Sequence, residues 1–182
     1  MQSMQAYITF GWFARFLHEH GIAESTAGWM VALLSALGIP ASIVAPNVPI
    51  RYHRLLMHVL GSCFVVAYIG LGVAPVGGAW IWMVLSGIGN GMFPLALTMI
   101  GLRSRSPQTT GALSAFVQAI GYIVAGTGPL LFGVLYGATG SWVLPLALLW
   151  ISLALAWLFG WLSCAHRYVD DELPRVVSPA TV

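Results

Sequence analysis

The chain of 182 residues contains no lysine, and only 7% of its residues are charged. A soluble globular domain carries about a quarter charged residues, which keep its surface hydrated. Hydrophobic residues instead make up 59% of this chain, and a soluble fold would need polar helix faces that its long apolar stretches lack. The scarcity of charge therefore indicates an integral membrane protein rather than a soluble domain.

Cysteine is also scarce, and the two cysteines, Cys63 and Cys164, lie far apart in apolar segments. This spacing matches neither a metal-binding motif nor a disulfide framework. The few arginines form no basic stripe of the kind that binds nucleic acid. Met1 is not followed by the basic residues that begin a secretory signal. We therefore expect no metal, no cofactor and no nucleic-acid partner, and we expect the apolar segments to remain in the lipid bilayer.

Long intervals without Asp, Glu, Lys or Arg mark the predicted transmembrane helices. Positions 25–50, 55–102 and 106–166 form three such intervals of 26, 48 and 61 residues. Because one crossing of a bilayer needs about 20 apolar residues, these intervals have room for one, two and two helices. With a further helix at the start, residues 1–164 are predicted to form an all-α bundle of six spans. The spans are Gln2–Leu17, Thr26–Ala45, Leu55–Ala74, Ala79–Leu102, Thr110–Tyr136 and Ser141–Cys164.

The positions of the arginines predict the orientation in the membrane. Six of the seven arginines lie between spans two and three, between spans four and five, or in the tail. Six spans place these three regions on one side, and an excess of arginine marks the cytoplasmic side. We therefore predict a multi-pass protein of the cell membrane with a cytoplasmic C-terminus. Its polar tail, residues 165–182, is predicted to be disordered.

Polar side chains within the spans indicate where a solute could bind, because placing them in a membrane is costly. Three sets recur at helical spacing, so the members of each set share one helix face. Either these faces line a common cavity, or each group only bonds a neighbouring helix. The sets are Gln2, Gln5 and Thr9 in span one, Ser86, Asn90, Pro94 and Thr98 in span four, and Ser114, Gln118 and Tyr122 in span five.

Glycine and proline are concentrated in spans four and five. Small residues let helices approach closely, and proline leaves a carbonyl unbonded and permits bending. Such positions suit helices that bend during alternating access, and they equally suit static close packing. The candidate hinge or packing residues are Gly87, Gly91, Pro94, Gly121, Gly128 and Pro129.

Several stretches resemble major facilitator superfamily transporters of the cyanate/nitroimidazole branch. Leu85-Ser-Gly-Ile-Gly-Asn-Gly-Met-Phe-Pro94, followed by Arg103-Ser-Arg-Ser-Pro107, resembles the tenth helix and the next loop of that family. Gln118-Ala-Ile-Gly-Tyr122 with Gly128-Pro129 looks like its eleventh helix. Gln2-Ser-Met-Gln-Ala-Tyr7 is similar to its seventh helix, already under way at Met1.

The resemblance implies a twelve-helix fold of two six-helix halves, with a small-molecule substrate bound between them in mid-membrane. This chain corresponds to the C-terminal half, with a first span that lacks its beginning. An N-terminal six-helix half or a second copy would then supply the other wall of the cavity. The residues expected to line it are Gln2, Gln5, Tyr7, Asn90, Gln118 and Tyr122.

These features favour transport by alternating access. The solute would be a small anion or a small polar or heterocyclic compound. The alternative is a non-transporting membrane protein, such as a transporter remnant or an assembly partner. An enzyme is not expected, because the spans contain no Ser–His pair, paired carboxylates or His-rich metal set. No predicted span contains Asp or Glu, so this part of the chain offers no carboxylate for proton coupling.

Overall fold

The computed structural model describes residues 1–163, and within this range the chain is all-helical, as predicted. A short 3-10 turn, Ile50–Tyr52, precedes the third helix. Cys164 and the predicted disordered tail, residues 165–182, lie outside the described residues. The helices are α1 (Gln2–Glu19), α2 (Glu24–Asn47), α3 (His53–Val73), α4 (Ala79–Gly89), α5 (Met92–Leu102), α6 (Pro107–Thr139) and α7 (Val143–Ser163).

Five segments of the described chain are long and apolar enough to cross a membrane. They correspond to predicted spans two to six, and the fourth contains both α4 and α5. α1 is an 18-residue helix but is not among the five. Gln2, Gln5 and Arg15 make it more polar than its neighbours, so the first of the six spans stays a prediction. The five segments are Glu24–Asn47, Ile50–Val73, Ala79–Leu102, Pro107–Thr139 and Val143–Ser163.

Local sequence signals set both ends of the longest helix, α6. The Ser106 side chain accepts a hydrogen bond of 3.1 Å from the Thr109 amide, and Pro107 occupies the first turn. Serine before the helix and proline at its first position are favoured because the first amides have no partner within the helix. Gly140 ends the helix in the left-handed conformation, with φ of 60°. Glycine reaches this conformation at low cost and so commonly ends helices.

The structure interrupts the fourth span, which the sequence predicts as one continuous helix. α4 ends at Gly89 and α5 begins at Met92, with Asn90 and Gly91 forming the turn between them. Pro94 has no amide hydrogen, so it cannot donate to the Asn90 carbonyl one helical turn earlier. That carbonyl instead accepts a 3.0 Å bond from the Phe93 amide. The backbone angles at Asn90 and Gly91 remain close to helical values, so α5 continues α4 after a tightened turn.

Gln5 is fully buried and connects three helices. Its Nε2 donates to the Leu149 carbonyl at 3.1 Å and to the Ser152 hydroxyl at 2.7 Å, both on α7. The Tyr68 hydroxyl of α3 donates to its Oε1. Buried polar groups must be bonded, since an unmet donor or acceptor in an apolar interior costs free energy. This hydrogen-bond cluster, defined as Gln5, Tyr68, Leu149 and Ser152, fixes α1 against α3 and α7.

Close packing holds α1 against α6. A Cβ atom on Gly128 would lie 2.5 Å from Cγ of Met4 and 3.3 Å from the Ile8 side chain, so α1 occupies the space that a larger residue would need. One turn beyond, the Trp12 indole donates a 3.1 Å hydrogen bond to the Pro129 carbonyl. Small residues at such contacts let two helices approach closely in a membrane.

The two ends of the bundle differ in charge. At one end, Arg103 donates to the Ser163 carbonyl at 2.6 Å, and the Arg54 guanidinium lies over the Trp161 ring, so both arginines adjoin the end of α7. We call this the arginine end. At the other end, which we call the Glu19 end, the chain leaves α1 and α6 and enters α7.

Three donors from different parts of the Glu19 end converge on the Glu19 carboxylate. The Arg15 Nε donates to it at 2.8 Å, the Tyr136 hydroxyl at 2.6 Å and the Trp142 indole at 3.1 Å. Arg15 also lies 4.9 Å from the centre of the Tyr136 ring. These bonds tie the end of α1 to the α6–α7 connection.

Replacing Gln5 by leucine is expected to lower the free energy of unfolding by about 1–3 kcal/mol, because Tyr68 and the α7 acceptors lose a buried partner. Gln118→Leu is the matched control, since Gln118 is half-buried and bonds only Ser114 on its own helix. We expect this control to change stability by less than about 0.5 kcal/mol. Denaturant unfolding of the purified protein in detergent measures both, and equal losses would contradict the role of Gln5.

Gly128→Ala is expected to destabilise the protein by about 1–2 kcal/mol, because the added methyl group overlaps Met4 and pushes α1 from α6. Gly121→Ala provides the comparison on the same helix. Apart from its chain neighbours and the backbone of its own helix, no atom lies within 4 Å of the position its Cβ would take. Alanine there is expected to be neutral or stabilising, since it favours the helix more than glycine does. Thermal unfolding of the two variants tests this difference, which a similar melting temperature for both would contradict.

Acidification is expected to weaken the Glu19 end. The hydrogen bond from Tyr136, together with that from Arg15, holds the pKa of Glu19 below its usual value of 4.5. A lowered pKa stabilises the fold above the usual value, and this stabilisation is lost as the pH falls through the pKa of the folded state. The stability difference between wild type and Glu19→Gln should therefore be largest near neutral pH, begin to shrink as the pH falls toward 4.5, and vanish only below the lowered pKa of the folded state. Unfolding curves at several pH values measure it, and a pH-independent difference would argue against the contact.

Candidate functional site

A cavity of about 530 Å³ lies at the arginine end, and we call it the arginine-end cavity. Its walls come from the start of α1, from α5, from the first half of α6 and from the end of α7, with Met57 contributed by α3. Most lining side chains are apolar, including Met57, Met92, Phe116 and Phe159. Small-molecule sites in proteins usually have volumes of about 300–1,000 Å³ and apolar walls with a few polar groups. The cavity therefore has the size and composition of a small-solute site.

Three of the six residues predicted to bind substrate line this cavity: Gln2 of α1 and Gln118 and Tyr122 of α6. Gln118 and Tyr122 are one helical turn apart, so they present two polar groups on one face of α6. The Gln118 Nε2 donates to the Ser114 hydroxyl at 2.6 Å, which orients the amide along the helix. Amide and phenol groups both donate and accept hydrogen bonds, so they suit a solute that carries nitrogen or oxygen atoms.

The other three predicted residues do not line the cavity. Gln5 is buried in the hydrogen-bond cluster of the core. Tyr7 lies two residues after Gln5 on α1, which places it about 200° from Gln5 around the helix. Its side chain is 40% exposed. Asn90 is half-buried at the turn between α4 and α5. A contact of these residues with substrate stays a prediction.

The predicted hinge or packing residues occupy three different environments. Gly91 and Pro94 adjoin the interruption between α4 and α5, and a Cβ on Gly87 would lie 3.0 Å from the Leu34 carbonyl of α2. Gly121 belongs to the wall of the arginine-end cavity. Gly128 and Pro129 contact α1 within an unbroken α6. Close packing thus accounts for Gly87 and Gly128, and bending at any of the six stays a prediction.

Arg103 also lines the cavity, although the sequence analysis places it only in a cytoplasmic loop. Its Nη2 donates to the Ser163 carbonyl at 2.6 Å, which links the end of α5 to the end of α7. Among the described residues no Asp or Glu lines the cavity, and Arg103 is the charged side chain that does. A guanidinium in an apolar wall favours an anion or the negative end of a polar solute. The available signal was the position of Arg103 directly after the last apolar residue of the fourth span.

The side chains that could bind a metal ion do not form a metal site in the part of the chain that the structure describes. Within residues 1–163, no group of three or more His, Cys, Asp or Glu side chains is arranged to hold a metal ion. The arginine-end cavity contains only amide, hydroxyl, phenol and guanidinium groups as polar side chains. This set can bind and orient a solute.

Comparisons with curated proteins find bacterial transporters along nearly the whole chain. YycB, an uncharacterized transporter of Bacillus subtilis (strain 168), is 36% identical over 93% of this chain and 43% of its own length. The 2-nitroimidazole transporter of Escherichia coli (strain K12) is 32% identical over 95% of this chain and 44% of its own length. The cyanate transport protein CynX of the same organism is 28% identical over 75% of this chain and 36% of its own length.

The chain therefore spans less than half the length of each of these three relatives. No protein-family model matches the chain. No solved structure matches it either.

Proposed function

Because the chain belongs to the transporter family of the cyanate and 2-nitroimidazole transporters, we propose that it carries a small solute across the cell membrane. In this proposal it acts as the C-terminal half of a major facilitator-type transporter that works by alternating access. The observation that carries the proposal is that Gln2, at the start of the chain, lines the same cavity as Gln118 and Tyr122 of α6, more than a hundred residues later.

The lining of the cavity supports a small anion or a small polar heterocycle as the substrate. The apolar walls suit a flat or compact body, and the amide, phenol and guanidinium groups suit its nitrogen, oxygen or negatively charged atoms. The names of two relatives, a cyanate transport protein and a 2-nitroimidazole transporter, cover one small anion and one polar heterocycle. A volume of about 530 Å³ accommodates either.

A second wall is part of the proposal, because the described helices leave wide apolar faces uncovered. Tyr7 and Phe10 of α1 and Phe116 and Ile123 of α6 are exposed, and α1 and α6 are two of the helices that line the cavity. A six-helix N-terminal half or a second copy of this chain would cover such a face. The remaining exposed apolar faces would contact lipid, with the arginine end and the C-terminus in the cytoplasm.

Binding and uptake measurements test the proposal. The purified protein is incubated with labelled cyanate and labelled 2-nitroimidazole, and uptake is then measured in vesicles that contain it with and without an N-terminal six-helix half. The double variant Gln118→Leu/Tyr122→Phe is expected to weaken binding of a substrate by roughly tenfold or more, because each lost hydrogen bond contributes about 1 kcal/mol.

Thr127→Ala is the matched control on the same helix. Thr127 is exposed, bonds the Val124 carbonyl at 2.8 Å and does not line the cavity. Binding of a tested solute that the double variant loses and the control keeps is the expected outcome. Equal binding by all three proteins would overturn the assignment of the cavity, and absence of uptake even with the N-terminal half would overturn the transport function.

A further inference from the structure

A second concave surface lies on the outside of the bundle, between α3 and α7 at the arginine end. It is an open groove of about 420 Å³ lined by His58, Ala154, Trp157, Leu158 and Trp161. We call it the α3–α7 groove. It has no lining residue in common with the arginine-end cavity. Whatever binds there does not need to enter the solute site.

The floor of this groove is fixed by one tryptophan. The Trp157 indole donates a 3.0 Å hydrogen bond to Nδ1 of His58, which joins α7 to α3. A Cβ on Gly61 would lie 2.9 Å from the Trp157 ring, so the glycine provides the space in which the ring lies flat against α3. The groove is therefore a built feature of the α3–α7 contact rather than a gap between loosely packed side chains.

Arginine and aromatic side chains form the mouth of the groove. The Arg54 guanidinium lies 5.7 Å from the centre of the Trp161 ring. Arg54 is one helical turn before His58 on α3, and Trp161 is one turn after Trp157 on α7, so both lie on the groove side at the arginine end. Arg51 precedes Arg54 by three residues, and its guanidinium lies 4.7 Å from the centre of the Tyr52 ring.

The positive charge at this mouth has no counterpart among the described residues. Glu19 and Glu24 are the only carboxylates in residues 1–163, and both lie at the Glu19 end of the bundle. Neither Arg51 nor Arg54 forms an ion pair within the part of the chain that the structure describes. An anion from outside the chain would complement both arginines.

We propose that the α3–α7 groove binds an anionic phospholipid of the surrounding bilayer. The phosphate group contacts Arg54 and Arg51 at the mouth, and an acyl chain follows Trp157, Leu158 and Ala154 along the groove. Charge complementarity selects an anionic headgroup, since clustered arginines at the cytoplasmic membrane surface attract anionic lipids. The apolar floor below the arginines favours a lipid over a free phosphate, because a phosphate alone leaves that floor uncovered. Tryptophan and arginine at one level also match the interfacial region of a membrane.

Native mass spectrometry of the purified protein tests the proposal. The protein is mixed with equal amounts of phosphatidylglycerol and phosphatidylcholine that carry the same acyl chains. Wild type is expected to retain phosphatidylglycerol in preference to phosphatidylcholine. Arg54→Gln should reduce that preference roughly fivefold, since one basic residue near a lipid surface contributes about 1 kcal/mol. Trp161→Leu should reduce retention of both lipids.

Two controls separate this site from general attraction between charges. Arg175→Gln removes the same charge at a position outside the described residues, and its lipid preference should equal that of wild type. Excess inorganic phosphate should not displace phosphatidylglycerol, because it cannot cover the groove floor. Loss of preference in Arg175→Gln, full displacement by phosphate, or an unchanged preference in Arg54→Gln would each overturn the proposal. Arg54 is exposed, so unchanged melting of Arg54→Gln in lipid-free detergent is the check that this variant folds.

Discussion

The position of α1 depends on the side chain of Gln5. α1 is the helix of this bundle that apolar character alone supports least, because it is not among the five segments suited to cross a membrane. Between helices in lipid, packing and hydrogen bonds replace the hydrophobic effect as the source of association. Gln5 supplies bonds to Ser152 and Leu149 of α7 and accepts one from Tyr68 of α3. Gly128 of α6 then lets the other side of the helix pack closely.

The two ends of the bundle use their few charges in opposite ways. At the Glu19 end, a single carboxylate accepts hydrogen bonds from Arg15, Tyr136 and Trp142, so its charge is satisfied within the protein. At the arginine end, Arg103 lines the arginine-end cavity, and Arg51 and Arg54 lie over aromatic rings at the surface. The first arrangement fixes α1 to the α6–α7 connection, whereas at the arginine end Arg51 and Arg54 form no ion pair within the described residues.

Hydropathy and turn residues predict spans two to six because these depend on local sequence, as Ser106, Pro107 and Gly140 show for α6. Helical spacing also correctly places Gln118 and Tyr122 on one face. Periodicity shows that Gln2 and Gln5 lie on the same face of α1. It cannot show which residues of other helices each side chain contacts. That depends on partners more than sixty residues away, Tyr68 and Ser152 for Gln5. The sequence marks Gly91 and Pro94 as candidate hinge or packing residues. It does not show that the helix is interrupted at Asn90, because the carbonyl that loses its usual partner lies one turn before the proline.

The walls of the arginine-end cavity differ in how firmly they are held. The α1 wall is bonded through Gln5 to α3 and α7 in the interior of the bundle, so moving it would expose buried polar groups. The α5 wall follows a turn in which the Asn90 carbonyl accepts a bond from the Phe93 amide, three residues later, because Pro94 cannot donate. Such bonds have poorer geometry than those of an α-helix, so the angle between α4 and α5 is easier to change. The cavity thus has one firmly bonded wall and one wall that follows a weaker turn. A change of shape around the cavity is therefore expected to begin at Asn90 and Gly91, with α1 as the reference against which α5 moves.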